Sequence, residues 1–152
     1  MKLAEALILR ADLQKRIEQI KARLIRNAKV QEGEKPGEKP QELIKEFENN
    51  SSELKNIIQK INRTNTDTEL KNKYSLSDAL AERDIIKIKF NMYNELAKAA
   101  SITQDRYTKS EVKFKSTISI TTIQKKADQL AKKHRELDTK IQEKNWIIEL
   151  KE

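Results

Sequence analysis

The sequence predicts a mostly α protein: an antiparallel bundle of about four long helices, with a short β hairpin or strand insertion near residues 68–75 and 111–118. Three observations carry this expectation. Aliphatic side chains recur at spacings of three and four through four separate stretches, the pattern of helices with one buried stripe. The chain's two glycines and two prolines, Gly33, Pro36, Gly37 and Pro40, all fall in the octet GEKPGEKP, so glycine and proline punctuate a single link. Charged residues make up 37% of the chain and hydrophobic residues 36%, a balance that suits long amphipathic helices better than sheets with their many turns. The periodicity of the aliphatic residues argues against disorder. A chain of 152 residues is about one domain's worth, and a single helical domain over residues 1–152 is expected.

The first helix is expected from Leu3 to Asn27, with a stripe of Leu3, Ala6, Arg10, Leu13, Ile17, Ile20, Leu24 and Asn27. The octet then reverses the chain, with Gly33 and Gly37 available for positive φ and Pro36 and Pro40 halting helix propagation. A second helix begins at Pro40 or Gln41, where proline costs no hydrogen bond. It buries Leu43, Phe47, Asn50, Leu54, Ile57 and Ile61. The polar stretch 62–74 reads as a connection, with Asn72 as its turn residue. Ser75-Leu76-Ser77-Asp78 reads as a capping box opening a third helix, whose stripe runs from Leu76 through Ala79, Arg83, Ile86, Phe90, Tyr93 and Ala97 to Ala100. Residues 112–118 alternate in the manner of a strand, with 68–75 or another subunit as partner. The fourth and longest helix starts near Ile120 and carries Ile123, Ala127, Leu130, His134, Leu137, Ile141, Lys144 and Ile148 on its stripe.

Composition narrows the chemistry. There is no cysteine, which removes disulfides, zinc–thiolate sites and a cysteine nucleophile. The first residues are too charged for a signal peptide and no run approaches a membrane span, so a cytoplasmic protein without a membrane partner is expected. The net charge is +8. Its excess is strongest in residues 1–30, with eight basic and three acidic groups, while residues 31–50 carry three and six. This reads as a solvated surface, with a nucleic-acid face as the alternative. Arg63, Arg106, Lys109 and Lys113 beside Tyr107 are the candidate contacts for an anion or a base. Arg10 and Arg83 on the buried stripes call for carboxylates such as Asp84, Glu82 or Asp12, because buried charges are tolerated when paired. His134 is the single histidine. It lacks Glu-x-x-His spacing and reads as structural, with Asp138 one turn on. No catalytic residues, cofactor or metal site emerge, and a non-enzymatic protein is expected.

Two helices carry more apolar surface than one stripe needs. Ile85, Ile88, Met92 and Ala99 form a second face on the third helix, and NWIIEL near the C-terminus gathers Trp146, Ile147, Ile148 and Leu150. Contiguous exposed apolar surface marks association, with Trp a common anchor. Homo-oligomerisation through these residues is the functional expectation.

The strings RADLQKRIEQIKARLIRNAKVQEGEKP, INRTN, RYTKSEVKF and RELDTKIQEKNW together resemble a family of small bacterial proteins, some labelled septicolysin. The similarity spans nearly the whole chain. It implies a mostly helical homo-oligomer, with a hexamer as the suggested assembly, and brings no catalytic residues. The label implies a haemolysin-like, oxygen-labile pore-former. The chain itself argues against that reading, having neither the cysteine of a thiol-activated toxin nor the long alternating segments of a pore-forming hairpin.

Overall fold

The structure, a computed structural model, describes residues 1–101 and 113–152. The fold is mostly α as expected, with four helices and one small antiparallel hairpin among the described residues: α1 (Leu3–Arg26), α2 (Pro40–Asp67), β1 (Glu69–Lys71), β2 (Tyr74–Ser75), α3 (Leu76–Ala100) and α4 (Ile120–Ile147). It divides into two compact units, the first formed by Met1–Ser75 with Gln142–Glu152 and the second by Leu76–Ile141.

In the first unit α1 packs on α2. Leu3, Ala6, Leu13 and Ile20 from α1, with Leu43, Ile57 and Ile61 from α2, are buried. Each large aliphatic removed from water here stabilises the fold by about 2 kcal/mol. The expected stripe therefore forms the core, but its polar members do other work. Asn27 caps the end of α1: its Nδ2 donates to Arg23 O at 2.9 Å, and its Oδ1 accepts from the Glu38 N–H at 3.1 Å. Arg23 meets both oxygens of Glu38 in a fork, with Nε at 3.0 Å from Oε2 and Nη2 on Oε1. Helix end and loop are thus clamped together. Gly33 takes φ +85° as expected, whereas Gly37 is not left-handed. A Cβ at Gly37 would make only ordinary contact with Asn27 Oδ1 at 3.8 Å. The turn needs one left-handed residue rather than two.

Helix α2 starts at Pro40 as expected but continues through the polar residues to Asp67, so it is as long as α4, each having 28 residues. The hydroxyls of Thr64 and Thr66 donate to the carbonyls one turn back, Lys60 O at 2.8 Å and Asn62 O at 3.0 Å. That bonding satisfies threonine inside a helix. Thr64 is fully buried, because the C-terminal segment docks there: the Lys151 N–H donates to its Oγ1 at 2.9 Å. The same segment pairs with the N-terminus through a β-bridge between Lys2 and Glu149. Leu3 N–H donates to Ile148 O at 2.9 Å and Leu150 N–H to Met1 O at 2.8 Å.

The hairpin occupies the 68–75 stretch. Glu69 pairs with Ser75 and Lys71 with Tyr74, with an irregularity between the two pairs. Its left-handed residue is Lys73, at φ 58°, and not the expected Asn72. Residues 113–119 form neither helix nor strand. The expected partners in 68–75 bond to each other, and the start of the alternating segment, residues 111 and 112, lies outside the described residues.

In the second unit Ala79, Ile86 and Ala97 of α3 and Ala127 of α4 are buried. Arg83 contacts Asp138, and ten residues further along α3 Tyr93 meets Lys126, twelve residues back along α4. The two helices therefore run antiparallel.

Two predictions follow from these contacts. Replacing Lys73 by Gly removes the steric cost of a left-handed Lys and is expected to raise stability by up to about 1 kcal/mol in urea denaturation. Hydrogen bonding to Arg23 holds the Glu38 carboxyl below its usual value near 4.5, and bonding to Lys2 and then to the terminal amine does the same for Glu149. A depressed folded-state value means stability that is present above that range and lost as the pH falls through it. The melting temperature should drop between about pH 6 and about pH 3, and Glu38→Gln with Glu149→Gln should flatten that dependence.

Candidate functional site

Three features stand out once the helices are placed. The first is the outer face of α3. Ile85, Ile88, Met92 and Leu96 are all exposed, Ile88 by 62%. With Asn91, Glu95 and Ala99, several of them line an open depression of about 550 Å³. A helix with α3's buried stripe has no packing need for this second one.

The second feature is the end of α4. Trp146 and Ile147 are exposed by 58% and 66%, while the adjoining Asn145 is buried. Ile148 and Leu150 are half-buried, and their backbones belong to the pairing with Met1–Leu3. The expected NWIIEL patch therefore splits into two outward residues and two that hold the C-terminal segment in place.

The third feature lies in the second unit, where Lys89 and Tyr93 of α3 face Lys126, Gln129, Leu130 and Lys133 of α4 across a cavity of about 230 Å³. Lys126 Nζ stands 5.5 Å from the centre of the Tyr93 ring, within cation–π range. Among the described residues no acidic side chain lines this cavity. Sequence reasoning missed the group. Its signal was the run Lys126, Gln129, Leu130, Lys133 at helical spacing, but its meaning depends on the α3 residues brought opposite.

Among the residues expected to bind an anion or a base, Arg63 is exposed on α2 in the first unit and Lys113 is exposed beyond any regular element. Arg106, Tyr107 and Lys109 lie outside the described residues, so the cluster is not assembled among those described. Of the internal polar network, Arg83 Nη1 donates to Asp138 Oδ1 at 2.9 Å and Nη2 lies 3.5 Å from Asp84 Oδ1. The principal partner thus comes from α4 rather than from the neighbouring residue. Arg10 belongs to the first unit, and its buried Nε has no hydrogen-bond partner among the described residues. His134 is half-buried on α4. Among the described residues no three of His, Cys, Asp and Glu are grouped to hold a metal ion, and no helix is long and apolar enough to cross a membrane.

These features define the class: a long-helix protein with a short hairpin, one outward apolar stripe and one lysine-lined groove. A model of a family of unknown function, DUF6847, matches residues 10–150, and the chain belongs to that family. It is similar over 99% of both chains, at 42% identity and a TM-score of 0.95, to a solved structure described as a functionally unknown conserved protein from Corynebacterium diphtheriae. No curated protein matches the chain significantly. Nothing in these comparisons supports the septicolysin label that the sequence resemblance carries, or a pore-forming activity.

The Arg83–Asp138 pair is half-exposed, with side chains 26% and 37% accessible, so its worth is bounded by solvent screening. Asp138→Asn is expected to cost about 1 kcal/mol or less in urea denaturation and to leave the helical circular dichroism unchanged.

Proposed function

We propose that this protein is a non-enzymatic assembly module, with the outer face of α3 as its contact with a second copy of itself. What supports the reading is the arrangement of the stripe about its centre. Counting from Met92, Ile88 and Leu96 lie four residues away on either side, and Ile85 and Ala99 lie seven away. Both spacings keep residues on one face of a helix.

A stripe symmetric about its midpoint is complementary to itself when a copy approaches antiparallel. Met92 then meets its own counterpart, Ile88 meets Leu96, and the larger Ile85 meets the smaller Ala99. That is the pattern of a two-fold interface, in which each patch meets the same patch. The stripe spans 15 residues, about 21 Å of helix. Trp146 and Ile147 offer a further apolar patch. With the α3 stripe as one contact and this patch as a second, closed assemblies beyond a dimer become available, including the hexamer that the sequence resemblance implies.

Light scattering on a sizing column is the test. The wild-type chain is expected to run as a defined oligomer, and Met92→Glu with Ile88→Glu to reduce its mass while retaining the helical spectrum. A wild-type monomer at high micromolar concentration would refute the proposal. So would an oligomer whose mass ignores both substitutions.

A further inference from the structure

We infer that the groove between α3 and α4 in the second unit binds a small organic phosphate, independently of any self-assembly through the outer face of α3. Three lysines, Lys89 from one helix and Lys126 and Lys133 from the other, line one cavity of about 230 Å³ in whose walls no carboxylate stands among the described residues. Elsewhere Lys2, Lys21, Lys39, Lys60, Lys132 and Lys151 each reach a carboxylate. The groove lysines make no ion pair among the described residues. Of the acids near these lysines on α4, Glu136 is paired with Lys132 and Asp128 accepts from Gln124 Nε2 at 3.1 Å. Like charges brought together without a counter-charge repel, and an anion of two or more charges relieves that repulsion.

The remaining walls narrow the class of anion. Tyr93 brings a hydroxyl and Gln129 an amide, both able to donate to phosphate oxygens. Lys126 over the Tyr93 ring has its ammonium positioned in advance by cation–π attraction. Leu130 and the Tyr93 ring give the cavity an apolar side. A bare inorganic ion leaves that side in water, whereas a phosphate ester covers it with its organic part. The volume fits a ligand the size of phenyl phosphate better than an extended polymer. Lysines act on phosphate as point charges and tolerate varied geometry, so the site selects charge and size more than shape.

Amide chemical shifts of the full chain, followed during titration with phenyl phosphate and with pyrophosphate, test this. Saturable shifts centred on Lys89, Tyr93, Lys126, Gln129 and Lys133 are expected, with phenyl phosphate the tighter binder. Lys126→Gln with Lys133→Gln should weaken binding about tenfold or more, while Lys98→Gln with Lys140→Gln, an equal change of charge outside the groove, should leave it within about twofold. Equal weakening by both pairs would mean diffuse attraction to a basic surface and would overturn the proposal. Non-saturating shifts, or shifts centred elsewhere, would do the same. A short single-stranded oligonucleotide binding more tightly through these lysines would overturn the assignment to a small ligand.

Discussion

The first unit depends on one exchange of hydrogen bonds, in which the start of α1 and the end of α4 satisfy each other. A helix begins with unpaired N–H groups and ends with unpaired carbonyls. Here the Leu3 N–H, the first of α1, donates to Ile148 O just past the end of α4, and Lys2 Nζ donates to Ile147 O at 3.0 Å. The positive end of one helix dipole thus meets the negative end of another. Glu149 adds ion pairs to Lys2 and the terminal amine. Once these residues are held, Lys151 falls beside α2, bonding to Thr64 and reaching Asp67 at 3.2 Å. Three helix ends are secured at one place by a few residues of each chain terminus.

That arrangement also explains where the sequence could and could not be read. The limits of α1 and the starts of α2, α3 and α4 were legible from periodicity and, at two of them, from local chemistry: Asn27 as a cap and Pro40 at a first turn. The end of α2 was not legible. Thr64 looks like a loop residue until Lys151, 87 positions away, arrives to share its hydroxyl. Lys73 was missed for a different reason. Asn tolerates the left-handed region better than Lys, but the irregular pairing of the hairpin places that conformation one residue later.

The functional surfaces divide in the same way. The outer stripe of α3 was legible because it lies within one helix and needs only periodicity. The lysine groove was not, because it exists only once Lys89 and Tyr93 are set against Lys126 and Lys133, and nothing local fixes that register. Its position on the α4-facing flank of α3, one residue round from Ile88 and Met92, leaves the stripe and the groove as neighbouring but separate surfaces of one helix.

The exchange at the chain ends has a consequence in time. Synthesis proceeds from the N-terminus, and contacts between distant residues carry a larger entropic cost of closure than those within a hairpin. The α1–α2 pair can form early from local contacts. Leu3 N–H and Met1 O must then rely on water until Ile148–Leu150, made well over a hundred residues later, arrive. The first unit therefore stays open at one end while the second is being made, and Ile148–Lys151 close it.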